Sequence, residues 1–148
     1  MKTIAAMIVT VLTMMGSVYA QKMPKNSATY DAQVLRVSDG DTIVIAAPFL
    51  PAPLKPELAV RIYGVDTPEK GPLARCAQEN ERALQASQYT TRMIQSGKKI
   101  QVTLYRWDKF GGRVLGDIVV DGESVRQGLI KNGLAREYYG DRKQSWCR

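Results

Sequence analysis

The sequence contains no histidine, and this absence narrows the possible chemistry considerably. Histidine general bases, Ser-His-Asp triads and histidine-rich zinc sites are all excluded. The chain has only two cysteines, too few for a structural zinc site. Any catalysis must therefore use carboxylates, arginine, lysine, tyrosine or a hard metal ion.

Long apolar runs are missing after the first twenty residues. Residues 1–20 carry a positive charge at Lys2, an apolar stretch over residues 4–15 and the small-residue ending Val18-Tyr19-Ala20. This pattern is typical of a secretory signal peptide cleaved after Ala20. The alternative is a membrane anchor, which the short run disfavours because a span needs about 20 apolar residues. We therefore expect an exported protein, periplasmic or secreted, with no stable membrane association after cleavage.

The expected export also predicts the state of the two cysteines, Cys76 and Cys147. Cysteines of exported proteins usually pair, so we expect one disulfide between them. It would close a loop of about 70 residues and contribute roughly 4 kcal/mol in the chain-entropy model. Two free buried thiols are the alternative.

Acidic residues are outnumbered, with 14 Asp and Glu against 21 Lys and Arg and a net charge of +7. A basic exported domain suggests an anionic partner such as nucleic acid, a phospholipid surface or an acidic polysaccharide. A basic surface can also serve solubility alone. The 148 residues suffice for one domain. We divide them into a signal peptide (1–20), a flexible N-terminal segment (21–30) and a folded domain (31–148).

The apolar pattern predicts five short strands and two helices. The strands are expected at 29–37, 42–46, 59–65, 98–106 and 114–120, and the helices at 77–95 and 123–132. A proline-rich loop precedes the third strand. A single helix between the third and fourth strands is typical of a five-stranded Greek-key barrel of the OB type. The expected fold class is thus α+β, an OB-fold β-barrel with two to three helices.

Three polar clusters stand near the predicted strand ends. They are Asp39-Gly40-Asp41-Thr42, then Arg61 with Asp66-Thr67-Pro68-Glu69, then Asp108-Lys109-Phe110-Gly111-Gly112-Arg113. Each has a purely structural interpretation. Asp-Gly pairs are mostly turns, a strand arginine usually pairs locally, and a glycine-bearing charged loop is often only flexible.

Together, however, the clusters contain what phosphodiester cleavage requires. Asp41 and Asp66, with a backbone carbonyl, are the hard oxygen ligands that Ca²⁺ prefers, and such an ion polarises a phosphoryl oxygen. Two guanidinium groups can bind the remaining phosphate oxygens. Glu69 can orient or deprotonate the attacking water, so this chemistry needs no histidine.

The motifs VSDGDT, RIYGVDTPE and DKFGGR, in this order, resemble the staphylococcal nuclease (thermonuclease-like) family, and the likeness extends over residues 34–139. The resemblance implies a calcium-dependent endonuclease on an OB barrel that cuts DNA and RNA, single-stranded or in a transiently opened duplex. It also implies 3′-phosphate ends, and we expect a monomer. The implied roles are calcium ligation by Asp41, Asp66 and the Thr67 carbonyl; phosphate binding by Arg61 and Arg113; a general base at Glu69; terminal-phosphate contacts from Lys109 and Phe110; and base packing by Tyr139.

The chain departs from the family pattern in four places. The Gly111-Gly112 pair makes the third turn one residue longer, which can displace Arg113. Phe110 lacks the phenolic hydroxyl of the family's tyrosine, so one phosphate contact should be absent. A proline-rich insertion precedes residue 59. The family's long C-terminal helix is missing, and either the Cys76–Cys147 disulfide or packing of Trp146 alone would hold the shortened end.

Two other functions remain open at this point. One is a non-catalytic OB-fold module that binds nucleic acid without cutting it. The other is an adaptor whose basic face docks a partner protein, although an adaptor would not need acids that converge beside Arg61. Whether Glu69 is the base or only orients the water is also open.

Overall fold

The computed structural model describes Pro24 and residues 27–147. The predicted signal peptide (1–20) and residues 21–23, 25 and 26 of segment 21–30 lie outside the described residues. The strands are β1 (Ala28–Asp31), β2 (Val34–Asp39), β3 (Thr42–Ala46), β4 (Glu57–Ile62), β5 (Val65–Asp66), β6 (Ile100–Trp107), β7 (Arg113–Val120), β8 (Glu123–Ser124) and β9 (Arg136–Glu137). The helices are α1 (Ala77–Ser96) and α2 (Val125–Lys131), with a 3₁₀ turn at Gly71–Leu73.

The strands form one mixed sheet in the order β1-β6-β7-β4-β3-β2, with β8 added to β7 and a separate β5-β9 pair. β4 and β7 run parallel, and the other pairs are antiparallel. The expected OB-like α+β class is therefore confirmed. Within the described residues, strand pairing does not close the sheet into a full barrel.

The predicted first strand, residues 29–37, is divided by a bend. Ala32 N–H donates to Ile100 O in β6 at 2.9 Å. The next residue, Gln33, accepts through its carbonyl from the N–H of Ala46, the last residue of β3, also at 2.9 Å. One stretch of chain thus pairs with β6 before the bend and with β3 after it. The two end strands of the sheet are consecutive halves of the same segment.

Helix α1 packs against the turn that joins β2 to β3. Its buried face includes Ala83, Ala86 and Thr90, and the Thr90 hydroxyl donates to Gly40 O at 2.6 Å. A Cβ at Gly40 would lie 2.6 Å from the Ala86 Cβ, so only glycine allows this approach. The helix therefore fixes the position of the first acidic turn.

The predicted third strand, residues 59–65, is interrupted at Tyr63–Gly64. β4 ends at Ile62 and β5 begins at Val65, and Gly64 between them has a φ of +79°. β5 then pairs with β9 of the C-terminal tail, a tail for which the sequence pattern indicated no regular structure. The second acidic cluster therefore begins in a separate short sheet that includes the tail.

The apolar core lies between the sheet and the two helices. Val125 and Leu129 of α2 are fully buried, as their spacing predicted, together with Ile43, Val60, Ile62 and Ile118 of the sheet. In the part of the chain that is described, no helix combines the length and the apolar character needed to cross a membrane.

Candidate active site

Asp41 and Arg61 form a nearly buried ion pair where β3 meets β4. Register places Thr42 opposite Arg61, and Arg61 Nη2 lies 3.1 Å from Asp41 Oδ2, with the two side chains 15% and 8% exposed. The Thr42 hydroxyl donates to Asp41 Oδ1 at 2.8 Å. The same Arg61 Nη2 donates to Val65 O at 3.3 Å. This one nitrogen therefore links the first acidic turn to the residue before Asp66.

Asp66 is buried in β5 and contacts two residues of the C-terminal tail. Its side chain is 6% exposed, and its Oδ1 lies 2.6 Å from Lys143 Nζ. The Trp146 indole N–H donates to Oδ2 at 3.2 Å. Lys143 Nζ also lies 3.5 Å from Glu69 Oε1, on a Glu69 side chain that is 47% exposed. The Glu69 carboxylate is therefore accessible to solvent, whereas two contacts hold Asp66 in place.

The acidic turn of Asp41 and the segment after β5 are adjacent. Thr67 is buried, and a Cβ at Gly40 would lie 3.4 Å from Thr67 Cγ2. The predicted ligand Thr67 thus lies beside the turn of Asp41, and Arg61 contacts both Asp41 and the residue before Asp66. Two buried carboxylates and nearby backbone carbonyls are a donor set that fits a hard divalent ion. In the structure the positive charge of the Lys143 ammonium lies beside the Asp66 carboxylate.

A cleft of about 570 Å³ lies on the other side of Arg61. It holds both predicted phosphate-binding arginines, because Arg113 at the start of β7 also lines it. Five cationic side chains and one acidic side chain, that of Asp108, face this cleft. The cations are Arg61, Arg106, Lys109, Arg113 and Lys143.

The longer turn before Arg113 is accommodated by its two glycines. Gly111 and Gly112 have φ values of +70° and +72°, a region that favours glycine, and Gly111 N–H donates to Asp108 O at 2.9 Å. Arg113 Nε lies 2.7 Å from Asp108 Oδ2. Burial works to raise the pKa of the Asp108 carboxyl, but the hydrogen bond to Arg113 and its charge outweigh burial and lower that pKa.

The predicted substrate-binding residues Lys109, Phe110 and Tyr139 all line the cleft. Phe110 is 79% exposed, with Lys109 Nζ 4.9 Å from its ring centre. Tyr139 packs edge-on against Tyr63 with ring centres 5.7 Å apart. Burial, offset in part by the charge of Arg126, raises the pKa of the Tyr139 hydroxyl, so this side chain stays neutral at physiological pH.

A smaller cavity of about 230 Å³ adjoins the acids. Asp66, Thr67 and Glu69 line it, and Lys143 lines both this cavity and the cleft. Burial works to lower the pKa of the Lys143 ammonium, but the hydrogen bond and charge of Asp66, with the charge of Glu69, raise it. Lys143 therefore remains charged between the acids and the cleft.

Sequence reasoning missed the contacts of three residues. The sequence pattern indicated no specific contact for Lys143, predicted only packing for Trp146, and indicated no role for Trp107, which lines the cleft and is 62% exposed. The expected Cys76–Cys147 disulfide is present. It was the feature of the sequence that could have predicted the contacts of the tail with Asp66. A bridge from Cys147 to a residue ten positions after Asp66 brings the tail close to the second acidic cluster.

Known proteins share this sequence pattern. The family model described as staphylococcal nuclease homologue matches residues 59–146. Endonuclease YhcR of Bacillus subtilis (strain 168) is 33% identical over 121 residues, which are 78% of this chain and 10% of the relative. Endonuclease YncB of the same organism is 35% identical over 106 residues, 70% of this chain and 46% of the relative.

An uncharacterized endonuclease of Escherichia coli is 30% identical over 119 residues, 78% of this chain and 65% of the relative. The chain thus spans from a tenth to about 65% of the length of these three relatives. The family model, in contrast, matches more than half of the chain and includes Arg61, Asp66, Glu69 and Arg113. This protein belongs to the staphylococcal nuclease homologue family.

Proposed function

We propose that this protein is an exported, calcium-dependent endonuclease that hydrolyses phosphodiester bonds of DNA and RNA and leaves 3′-phosphate ends. The observation that carries the proposal is the position of Arg61. Its Nη2 contacts Asp41 Oδ2 and Val65 O, next to Asp66, on the edge of a cleft that also contains Arg113. Arg61 therefore connects a buried acid with a cleft that holds a second guanidinium group, and cleavage of a phosphate diester uses both kinds of group.

Asp41, Asp66 and the Thr67 carbonyl would hold the calcium ion. When bound, the ion supplies a Lewis acid and neutralises negative charge on the phosphate. Arg61 and Arg113 bind phosphate oxygens, on which charge increases as water attacks phosphorus and the 5′-oxygen leaves. Glu69 orients the water or takes its proton, and its exposure allows it to release that proton to solvent.

Nucleic acid suits the cleft because the cations of its lining can follow a phosphate backbone. Trp107 and Phe110 are exposed beside these cations, and exposed aromatic rings stack on unpaired bases. The proposed substrate is therefore a single strand or a transiently opened duplex, bound by a monomer.

Export belongs to the same proposal. The signal-like pattern of residues 1–20 and the Cys76–Cys147 disulfide both suit an oxidising compartment. We place the mature protein in the periplasm or the medium, free of the membrane.

A nucleic-acid-binding module without catalysis is the second candidate. The contact between Lys143 and Asp66 favours it, because an ammonium then balances the carboxylate that a metal ion would need. Binding without cutting would distinguish this candidate from the enzyme.

The test is cleavage of plasmid DNA and of RNA by the exported protein, with Ca²⁺ or with a chelator. We expect cutting only with Ca²⁺, and products whose 3′ ends accept no extension by a polymerase until a phosphatase has removed the phosphate. Glu69→Gln and Arg61→Ala should each lower the cleavage rate by roughly 100-fold or more.

The matched controls are Glu57→Gln and Arg36→Ala. These two residues form an ion pair at 2.9 Å, with side chains 35% and 55% exposed, and neither lines the cleft. Both controls should cut like the unmodified protein. Nucleic-acid binding with no cutting under any divalent ion would support the binding module and overturn the enzyme.

A further inference from the structure

The Lys143 ammonium lies against the acids that the proposed function assigns to the metal site. Its Nζ is 2.6 Å from Asp66 Oδ1 and 3.5 Å from Glu69 Oε1. Asp66 is buried and points its other oxygen at Trp146. The Lys143 ammonium therefore neutralises the Asp66 carboxylate at Oδ1, while Trp146 contacts Oδ2.

Lys143 lies in the C-terminal tail, whose end is fixed by Trp146 and Cys147. Trp146 is 5% exposed, and the Arg136 guanidinium stacks 3.8 Å from the centre of its ring. Cys147 is joined to Cys76 just before α1. Lys143 itself is 41% exposed, so its side chain can move although the tail is fixed.

The Lys143 ammonium also has an aromatic neighbour. Its Nζ lies 5.7 Å from the centre of the Tyr138 ring, and both residues line the cleft of Arg61 and Arg113. An aromatic ring attracts a cation, so Asp66 and Glu69 are not the only groups that stabilise this ammonium.

We propose that Lys143 is an internal counter-ion of the metal site, which a divalent cation must displace from Asp66 in order to bind. Two cations on one carboxylate oxygen repel each other strongly. Lys143 therefore weakens metal binding and sets the concentration of divalent ion at which the site fills. This proposal rests on the proposed function, because it takes Asp66 as a metal ligand.

Calcium titration by calorimetry tests the proposal without reference to cleavage. Lys143→Met keeps the apolar stem and removes the charge, and we expect it to bind Ca²⁺ at least about tenfold more tightly than the unmodified protein. Lys143→Gln should do the same. Lys143→Arg keeps the charge and should stay within about threefold of the unmodified protein, because the repulsion that opposes the ion is retained.

Lys131→Met is the control for loss of one positive charge, since Lys131 ends α2 and lines neither cavity. It should leave calcium affinity unchanged. A thermal melt with and without Ca²⁺ provides the second measurement. The calcium-induced rise in melting temperature should be larger for Lys143→Met than for the unmodified protein, because the variant leaves Asp66 without its cation until calcium binds.

Equal or weaker calcium binding by both Lys143→Met and Lys143→Gln would overturn the counter-ion role while leaving the proposed nuclease intact. Calcium binding by none of the proteins, in calorimetry and in the melts, would overturn the metal site itself and the counter-ion role with it. The two failures are therefore distinguishable.

Discussion

At the scale of single residues, Arg113 is held by an ion pair at the end of the longer turn. That the extra glycine displaces this guanidinium relative to the family stays a prediction. In the structure the Gly111–Gly112 turn closes on Asp108, and the Asp108 carboxylate holds Arg113 Nε at 2.7 Å. The side chain of Asp108 is only 9% exposed, so it acts as a fixed support for the arginine.

Asp108→Asn should therefore lower the cleavage rate by about tenfold, because the neutral amide holds the guanidinium less firmly than a carboxylate does. Asp31→Asn is the matched control, since Asp31 is 72% exposed and lines a different cavity. Initial rates on a fluorescent single-stranded oligonucleotide measure the effect. Equal rates for Asp108→Asn and the control would contradict a supporting role for Asp108.

The ion pair of Asp108 and Arg113 also makes the stability of the fold depend on pH. The direction of this dependence follows from the lowered pKa of Asp108. A carboxyl whose pKa is lower in the folded protein than in the unfolded chain stabilises the fold above the unfolded pKa of about 3.9. That stabilisation is lost as the pH falls through the lowered folded pKa. The deficit in melting temperature of Asp108→Asn should thus be present at pH 7 and disappear in strong acid.

The residues that sequence reasoning identified are those in contiguous motifs. Asp41, Arg61 and Asp66 lie in or beside strands whose ends are predictable from the Asp-Gly and Thr-Pro pairs. Lys143 and Trp146 could not be placed in the same way. Their contacts with Asp66 depend on the path of a tail that lacks apolar periodicity, and strand period alone says nothing about such a path.

At the scale of elements, the C-terminal tail, which lacks the family's long helix, is held by contacts with the rest of the domain. It contributes β9, which pairs with β5, and Trp146, which contacts Asp66. The disulfide then joins the tail to the residue that caps α1, 71 positions earlier. Three separate contacts thus hold a segment with little regular structure.

Replacing both cysteines by serine should lower the free energy of unfolding by up to about 4 kcal/mol, the chain-entropy value for a loop of this length. Urea denaturation followed by circular dichroism measures this change. Reductant should destabilise the unmodified protein to a similar extent and leave the double variant unaffected. Coincident unfolding curves for the two proteins without reductant would contradict a stabilising role for the bridge.

The helices were easier to predict than the strands. Helix α1 was predicted at 77–95 and spans Ala77–Ser96, because it lacks glycine and proline and Gly97 ends it. The predicted strands 29–37 and 59–65 are both interrupted, one at Ala32–Gln33 and one at Tyr63–Gly64. In each case the chain changes its pairing partner, and that change is a tertiary property which a single strand's alternation does not encode.

At the scale of the whole molecule, the two cavities of the site differ in charge. Three acids, Asp66, Glu69 and Glu79, line the small cavity together with Arg75 and Lys143. Five cations and one acid line the neighbouring cleft. A polyanion is attracted to the cleft, while a divalent cation is attracted to the acids. Lys143 lines both cavities, so the proposed counter-ion lies where it contacts the acids and also faces the cleft.

The proposed nuclease requires that Asp41 and Asp66, from two distant turns, hold one divalent cation beside Arg61. Diffraction from crystals of the protein soaked in Ca²⁺ would locate such an ion. We predict one calcium peak ligated by Asp41, Asp66 and the Thr67 carbonyl, with Lys143 Nζ moved away from Asp66. Crystals at saturating Ca²⁺ that show no peak there, with Lys143 still bonded to Asp66, would contradict the account.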